Sequence, residues 1–260
     1  MSTKRALSFG AVSEDYDRFR PTPAPAALDW LLPAHATAVA DVGAGTGART
    51  RLLVGRVAHV TAVEPDERMR RVLAERVPAA IVRAGTGEAL PLEDASQDAV
   101  LVSSAWHWVD ARRAVPEAAR VLRPGGRLGV LWTSIDREIP WVAELWRTLR
   151  PGGTQQPGGH GPRALEVLPG EGFAAVEGPH VVRSSRRYSR EDLVGLAGTY
   201  SAIIVLAPER RAALLDEVRR ALAADPRYRE PVDVPVISRC YRAAVQAPGT
   251  RSSNGSGSAR

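Results

Sequence analysis

The chain has 260 residues, of which 44% are apolar and 25% charged, and its formal net charge is +6. These proportions suit one globular domain with a substantial core, and they exclude fibrous and wholly disordered proteins. The positive charge comes almost entirely from scattered arginines without interleaved aromatic residues, so we do not expect a nucleic-acid partner.

Between residues 38 and 133, five apolar segments alternate with helix-like segments. This alternation predicts a parallel sheet with helices on both faces. The predicted strands cover residues 38–42, 59–64, 80–83, 98–103 and 127–132, and the predicted helices after the first two strands cover residues 47–55 and 66–75.

The helix after the fourth strand contains a proline and is followed by Pro124, Gly125 and Gly126. These three residues are expected to stop the helix and turn the chain into the fifth strand. Pro116 either kinks this helix or lies in the first turn of its second half, where a missing N–H is tolerated, and we expect the latter.

The last part of the chain predicts a loop, two strands and a helical region. Residues 150–161 are dense in Pro, Gly and Gln and predict a mobile surface loop. Strands are predicted at 172–182 and 232–243, with helices over 190–224 that break near Pro208. Residues 248–260 predict a disordered tail.

Residues 1–10 lack a signal-like apolar segment, and no run approaches the roughly 18 apolar residues of a membrane span. The single cysteine, Cys240, excludes an internal disulfide and a thiolate-rich metal site. We therefore expect a cytoplasmic protein with no membrane partner.

Three glycines, Gly43, Gly45 and Gly47, directly follow the first predicted strand, with Ala44 between the first two. A strand that turns sharply into a helix leaves bare backbone N–H groups and space for a nucleotide-like ligand. Gly43, Gly45 and Ala48 also satisfy the dinucleotide fingerprint, with Glu64 where a ribose-binding acid would fall.

Asp41, at the end of the first strand, favours one of these two cofactor classes. An acid there would repel a pyrophosphate but suits S-adenosylmethionine, which carries a sulfonium and an ammonium group. An NAD(P)-dependent oxidoreductase remains the alternative, although the sequence has no Tyr-x-x-x-Lys pair and Lys4 is its only lysine.

At these residues the sequence resembles the class I S-adenosylmethionine-dependent methyltransferases. Within them it is similar to the small-molecule group (methyltransferase type 11) that includes trans-aconitate methyltransferase-like proteins. The matching segments, in chain order, are residues 39–47, 63–66, 85–91, 106–108 and 120–126.

The resemblance implies an α/β three-layer sandwich. Its seven-stranded, mostly parallel, doubly wound sheet would have the order 3-2-1-4-5-7-6, with an antiparallel last strand and a small helical cap. On this basis residues 1–247 form a single methyltransferase domain, with 138–170 and 188–230 as cap or lid insertions. The sequence does not indicate the oligomeric state.

The resemblance also assigns cofactor-binding roles. Glu64 would accept hydrogen bonds from the ribose hydroxyls, Pro65 and Met69 would line the adenine, and Tyr16 and Arg20 would reach the methionine carboxylate. Glu88 could instead be an acid at a helix N-terminus, and Met69 could be a core residue. The predicted cofactor-binding set is Tyr16, Arg20, Asp41, Gly43, Ala44, Gly45, Gly47, Glu64, Pro65, Met69, Gly85, Thr86, Gly87, Glu88, Ser103 and Ser104.

The predicted catalytic residue is His107, between Trp106 and Trp108. It would orient or deprotonate the acceptor, since an ordinary histidine pKa suits proton transfer at neutral pH. The alternative is a packed, hydrogen-bonded histidine. No metal site is predicted, because no carboxylate and histidine cluster has ligand spacing.

We therefore expect methyl transfer from S-adenosylmethionine, leaving S-adenosylhomocysteine, to an oxygen, nitrogen or carbon atom of a small molecule. A carboxylate acceptor would need no general base. RNA methylation is the further alternative. The aromatic residues Trp141, Trp146, Tyr188 and Tyr200 either set an apolar acceptor preference or form the core of the cap.

Overall fold

The structure is a computed structural model that describes residues 13–106, 109–151 and 172–246. Most of the predicted loop at 150–161 and the predicted tail at 248–260 lie outside the described residues. So does His107.

One sheet organises the molecule. Its seven strands have the order β3-β2-β1-β4-β5-β7-β6, which confirms the predicted order. β7 is antiparallel to both of its neighbours, whereas β1 to β5 pair in parallel. The strands are β1 Ala38–Val42, β2 His59–Val63, β3 Ile81–Arg83, β4 Gln97–Ser103, β5 Leu122–Ile135, β6 Glu177–Tyr188 and β7 Val232–Ala244.

Helices cover both faces of this sheet. The α2 helix packs its apolar side with Val39 and Leu101 on one face, and α5 packs with Val100 and Leu128 on the other. Burial on both faces explains why β1 is apolar at four of its five positions instead of alternating between apolar and polar residues. The helices are α1 Ser13–Phe19, α2 Pro25–Leu31, α3 Thr50–Leu53, α4 Glu67–Arg76, α5 Ala111–Val121, α6 Pro140–Thr148, α7 Arg190–Gly198, α8 Ser201–Ile204 and α9 Pro208–Ala224.

A second apolar cluster lies beyond the end of β5, and we call it the helical cluster of α6–α9. It joins Leu145 of α6, Leu193 of α7, Ile203 of α8 and Val218 of α9. Phe19, the last residue of α1, belongs to the same cluster. The N-terminal helix is thereby packed against helices that lie far away in the sequence.

Two predictions about α5 and β5 are wrong. α5 runs without a break through Pro116, and the carbonyl that Pro116 leaves without its helical partner belongs to Arg112, an exposed residue. β5 begins directly at Leu122, and Pro124 to Gly126 form an irregularity within it rather than a turn before it. β5 also continues to Ile135 because β7 pairs with it that far.

Two further boundaries also differ from prediction. The helix predicted at 47–55 is only the four-residue α3, since Gly47 adopts a positive φ of 88° and stays in the turn. The strand predicted at 172–182 is β6 at Glu177–Tyr188. β6 is an edge strand whose residues are mostly exposed, so its sequence has no apolar run that would indicate where the strand begins and ends.

Candidate functional site

The glycine turn after β1 has the backbone that its sequence predicts. Gly43, Gly45 and Gly47 have φ values of 65°, 58° and 88°, a region that disfavours residues with a Cβ. The N–H groups of Gly43 and Ala44 donate to the carbonyl of Val63, at 2.9 and 3.2 Å, which ties the turn to the end of β2. These hydrogen bonds fix the backbone of the turn at the carboxyl ends of the adjacent strands β1 and β2.

Glu64 follows β2 and joins this turn to the next one. Its carboxylate accepts the N–H of Gly45 at 2.9 Å through Oε2 and that of Asp66 at 3.0 Å through Oε1. Burial raises the pKa of the Glu64 carboxyl, and the two N–H bonds oppose that rise. Each oxygen keeps a lone pair that can accept a further hydrogen bond, as from a ribose hydroxyl.

Asp41 does not offer its charge to a ligand in this structure. Its side chain is completely buried and forms an ion pair with Arg49, and its Oδ2 accepts the hydroxyl of Thr50 at 2.6 Å. Burial lowers the pKa of Arg49, whereas the nearby Tyr16 raises it. The argument that an uncompensated acid selects a cationic cofactor is therefore corrected, because Arg49 neutralises Asp41 from beneath the turn.

The residues predicted around the adenine lie next to this turn. Met69 is buried, and its sulfur would lie 3.9 Å from a Cβ placed on Gly45, whereas Pro65 is exposed. A Cβ on Gly85 would meet Pro91 at 2.7 Å, so only glycine fits there. Thr86 forms an isolated bridge with Ala89.

Glu88 has a structural contact. Its Oε1 accepts the N–H of Asp110 at 2.8 Å, and Asp110 in turn caps α5 by accepting the N–H of Arg112. Gly87 is packed against Val109, just before α5, and against α5 itself, because a Cβ on Gly87 would lie 3.1 Å from Val109 and 3.7 Å from Ala114. Glu88 lies in a turn and begins no helix of its own, so the alternative role as the first acid of a helix is wrong, while its cofactor-binding role stays a prediction.

Ser103 and Ser104 lie at the end of β4, beside the glycine turn. Ser104 has a positive φ of 51°, and its N–H donates to Leu131 of β5 at 2.9 Å. A Cβ on Gly43 would lie 2.7 Å from the Cβ of Ala105, so the glycine turn and the end of β4 are in direct contact. The structure therefore brings together the first, second and fourth strand ends, as predicted for an open α/β sheet.

Tyr16 and Arg20 approach from the N-terminal side. Arg20 donates to the hydroxyl and the carbonyl of Thr199, at 2.9 and 2.8 Å, and its guanidinium lies over the rings of Tyr16 and Tyr200 at 5.2 and 4.5 Å. Arg20 thereby connects the end of α1 to the helical cluster of α6–α9.

The proposed catalytic residue His107 lies outside the described residues. Trp106, immediately before it, is 2% exposed and belongs to the core on the α5 face of the sheet. The role of His107 stays a prediction.

Some residues of the site were not found by sequence reasoning. Asp17 of α1 accepts hydrogen bonds from Arg76 at 2.8 Å and Arg51 at 3.3 Å, which fixes α1 to α3 and α4. Asp17, Arg49 and Thr199 could not be predicted, because their partners are set by the fold and not by a sequence motif. The sequence did offer one signal: a buried charge needs a partner, and Arg49 lies in a segment that should be buried beside the glycine turn.

The chemistry of these residues suits S-adenosylmethionine. The glycine turn is a cradle in which a Cβ on Gly43 would meet Ala105, so the turn admits no side chain there. Glu64 supplies carboxylate lone pairs for a diol, and Met69 supplies an apolar surface for a flat base. The donors and acceptors present fit a nucleoside with a short amino-acid chain.

A metal site finds no support in the described part of the chain. No group of three or more His, Cys, Asp or Glu side chains there has the arrangement that would hold a metal ion. Likewise, none of the helices in the described ranges is long and apolar enough to cross a membrane.

Comparisons with known proteins indicate a methyltransferase. A family model described as a methyltransferase domain matches residues 40–130. The chain is 41% identical over 242 residues to an uncharacterised methyltransferase of Mycobacterium tuberculosis, covering 92% of this chain and 96% of that protein. It is 30% identical over 236 residues to an uncharacterised methyltransferase of Schizosaccharomyces pombe, covering 87% of this chain and 92% of that one.

A solved structure agrees with these relatives. The structure of a protein assigned as a type II methyltransferase from Anaeromyxobacter dehalogenans is 28% identical, with a TM-score of 0.67. The match covers 87% of this chain and 98% of that one. The chain belongs to the class I S-adenosylmethionine-dependent methyltransferases, and S-adenosylmethionine is its cofactor.

Proposed function

We propose that this methyltransferase acts on a small molecule and transfers the methyl group in line to an oxygen, nitrogen or carbon atom. The observation that carries the proposal is the closure above the strand ends. Arg20 joins the end of α1 to Thr199 of the helical cluster at 2.8 and 2.9 Å, and Asp17 of α1 accepts the hydroxyl of Thr46 in the glycine turn at 3.4 Å, so α1 contacts both the turn and the cluster. A covered site suits a small acceptor better than a polymer.

We assign the cofactor contacts as follows. The turn at Gly43 to Gly47 lies against the cofactor, Glu64 holds the ribose, and Pro65 with Met69 faces the adenine. The segment from Gly85 to Glu88 contributes backbone groups at the adenine edge. Ser103 and Ser104 face the methionine part, and Tyr16 and Arg20 bind its carboxylate. Asp41 acts from below, by holding Arg49 and Thr50 under the turn.

When bound, S-adenosylmethionine supplies a methyl group on a positively charged sulfur. The chain's own contribution is mainly to orient the acceptor and to exclude water, because alignment of reactants removes much of the entropic cost of their meeting. A carboxylate acceptor needs no base. An alcohol or amine acceptor would transfer its proton to His107, in the role predicted for that residue.

The domain division remains part of the proposal. Residues 1–247 would form one methyltransferase domain, with 138–170 and 188–230 covering the site. The buried apolar contacts of the helical cluster of α6–α9 support a layer of its own above the sheet.

The test uses S-adenosylmethionine with a deuterated methyl group. The purified protein is incubated with a metabolite extract and, separately, with total RNA, and the products are analysed by mass spectrometry. We expect the label in a compound of low molecular mass. Label in RNA alone, together with association that weakens steeply as salt rises, would favour the RNA alternative.

A further inference from the structure

The backbone and the side chain of Arg20 are held by different parts of the chain. Its backbone N–H donates to the carbonyl of Tyr16 at 3.1 Å, and its own carbonyl accepts from Arg186 of β6. Its side chain donates instead to Thr199, which follows α7 directly. The direction of the Arg20 side chain therefore depends on the segment between α7 and α8.

Thr199 holds one edge of the Arg20 guanidinium. The Nε of Arg20 donates to the hydroxyl of Thr199 at 2.9 Å, and its Nη2 donates to the carbonyl of the same residue at 2.8 Å. This carbonyl lies at the end of α7, where the last carbonyls have no partner within the helix and a positive charge is favourable. One residue thus supplies both acceptors for this edge.

The hydroxyl of Thr199 has the orientation that this contact requires. Thr199 is completely buried, and its hydroxyl donates to the carbonyl of Leu196 at 2.7 Å. Because the one hydroxyl proton is directed to Leu196, the oxygen has only lone pairs to offer to the Nε of Arg20. The hydroxyl therefore acts as an acceptor towards Arg20.

Two aromatic rings lie next to the same guanidinium. Its Cζ is 5.2 Å from the centroid of the Tyr16 ring and 4.5 Å from that of the Tyr200 ring. Tyr200 in turn packs edge-to-face against Trp146 of α6, with ring centroids 4.9 Å apart. An aromatic face attracts a cation placed over it, so these rings hold the guanidinium without using any of its N–H groups.

The second edge of the guanidinium, formed by Nη1 and Nη2, has no protein partner in the part of the chain that the structure describes. Among the same residues, no carboxylate lies at ion-pair distance from Arg20, which is half-buried. Burial raises the pKa of Tyr200 to about 12, although the charge of Arg20 opposes that rise, so Tyr200 is neutral at physiological pH. Arg20 therefore offers an uncompensated charge with two parallel N–H groups.

We propose that Thr199 is a positioning residue for the carboxylate of S-adenosylmethionine. By occupying the edge of Nε and Nη2, it directs the edge of Nη1 and Nη2 to the ligand, and that edge matches a carboxylate with two parallel hydrogen bonds. The inference rests on the proposed function, in which Arg20 binds this carboxylate. It adds that the segment between α7 and α8 determines how Arg20 does so.

A coupling between the cofactor and the helical cluster of α6–α9 follows. A carboxylate that binds one edge of the guanidinium favours the arrangement in which Thr199 holds the other edge. A nucleoside without the amino-acid part lacks this contact. Saturation with S-adenosylhomocysteine should therefore slow amide hydrogen exchange of residues 190–204, whereas saturation with methylthioadenosine, which has no amino-acid carboxylate, should not.

The variant that tests the contact is Thr199→Val, which keeps the shape of the side chain and removes the acceptor for Nε. Calorimetry measures its affinity for both ligands. We expect S-adenosylhomocysteine to bind about tenfold more weakly and methylthioadenosine to bind as it does to the native protein. Thr199→Ser retains the hydroxyl and should bind both ligands like the native protein. Unchanged binding of S-adenosylhomocysteine to Thr199→Val, or an equal loss for both ligands, would overturn the proposal.

Thr148→Val is the matched control. The hydroxyl of Thr148 also donates to a backbone carbonyl of its own helix, that of Glu144 in α6 at 3.2 Å. Its replacement removes a comparable hydrogen bond from the same helical cluster, and the affinity for both ligands should not change. The exchange experiment uses the native protein, so it decides the question even if Thr199→Val does not fold. Equal exchange of residues 190–204 with the two ligands would overturn the proposal.

Arg20→Gln separates this inference from the function on which it rests. If Arg20→Gln binds S-adenosylhomocysteine as tightly as the native protein does, Arg20 does not hold the carboxylate, and the proposed cofactor contact is wrong. If Arg20→Gln loses affinity for S-adenosylhomocysteine alone while Thr199→Val keeps it, the cofactor contact stands and the role of Thr199 is wrong. Neither result depends on finding the methyl acceptor, because binding is measured without turnover.

Discussion

Glu64 connects the cofactor cradle to the rest of the fold. Both of its oxygens accept backbone N–H groups, from Gly45 on one side and Asp66 on the other. The same carboxylate therefore fixes the shape of two turns and offers lone pairs to a ligand. Its burial, with 6% of the residue exposed, makes each of these hydrogen bonds more costly to lose.

The substitution Glu64→Gln should weaken binding of S-adenosylhomocysteine by about tenfold to hundredfold. The amide nitrogen would replace one acceptor oxygen and face a backbone N–H donor. Calorimetric titration measures the effect. Glu67→Gln is the control, since Glu67 is an exposed acid at the start of α4, and an equal loss of affinity in both variants would contradict the role of Glu64.

The raised pKa of Glu64 predicts a pH dependence of cofactor binding. Ribose hydroxyls donate to the ionised carboxylate, so binding favours the ionised form and lowers its pKa. As the pH falls through the raised pKa of the free protein, the carboxyl becomes protonated and the affinity should decrease. Titrations of S-adenosylhomocysteine from pH 4 to 8 should show this decrease in the native protein and a flatter profile in Glu64→Gln.

The pair of Asp41 and Arg49 predicts strong coupling. Replacing one partner, by Asp41→Asn or Arg49→Met, leaves an uncompensated buried charge and should cost about 3–5 kcal/mol of the free energy of unfolding. The double variant should lose less than the sum of the single losses, because it carries neither charge. Urea unfolding measures all three variants, and additive losses would rule out the coupling.

At the scale of elements, α1 is positioned by side chains from distant parts of the chain. Arg186 donates to the carbonyls of Arg18 and Arg20, and the hydroxyl of Tyr188 donates to the carbonyl of Phe19 at 2.9 Å. The last carbonyls of a helix have no partner within it, and a cation there also complements the helix dipole. The end of β6 thus terminates α1 and directs Arg20 to the site.

Tyr188→Phe should cost about 1 kcal/mol of stability, because it removes a buried hydrogen bond without changing the packing. The loss should be local, with faster amide hydrogen exchange in α1 and weaker binding of S-adenosylhomocysteine. The control is Tyr228→Phe, a buried tyrosine in the same helical cluster for whose hydroxyl the described residues offer no hydrogen-bond partner. If exchange in α1 is equally fast in both variants, the clamp from β6 does not position this helix.

The elements that could be predicted are those with a local signal. β1, β2 and β4 carry apolar runs followed by turn residues, and their order was expected from the resemblance to the methyltransferase family. The extra length of β5 could not be predicted, because it depends on pairing with β7, about a hundred residues away. β6 was misplaced because an edge strand with arginines on it has no apolar pattern.

The same distinction holds for the site. The glycines and Glu64 were predicted because backbone geometry and spacing leave a trace in the sequence. The contacts of Arg20 with Thr199 and of Asp41 with Arg49 could not be predicted, since a hydrogen bond across the fold requires no particular spacing. The wrong inference about Asp41 has this origin, because its charge was considered without the arginine that neutralises it.

At the scale of the whole molecule, Asp98 holds together three segments of the sheet. Its Oδ2 accepts the N–H groups of Thr37 and Ala38, at 2.7 and 2.9 Å, and its Oδ1 accepts from Arg123 at 2.7 Å. These contacts join the start of β1, the start of β4 and the irregular first part of β5. They lie at the end of the sheet opposite the glycine turn, so they support the fold and not the cofactor.

Asp98 predicts how the whole fold responds to acid. Burial acts to raise the pKa of Asp98, but the hydrogen bonds from Thr37, Arg123 and Ala38 outweigh burial and place it well below the ordinary value. A lowered pKa means that Asp98 stabilises the fold above the unfolded value of about 4, and that this contribution is lost as the pH falls further. Asp98→Asn should therefore lose about 2 kcal/mol at neutral pH and much less in acid, as measured by urea unfolding at each pH. Asp94→Asn removes an acid with 78% of its side chain exposed and should change stability by less than about 1 kcal/mol at any pH. A loss in Asp98→Asn that is the same at every pH would mean that the side chain's shape, and not its charge, joins the three segments.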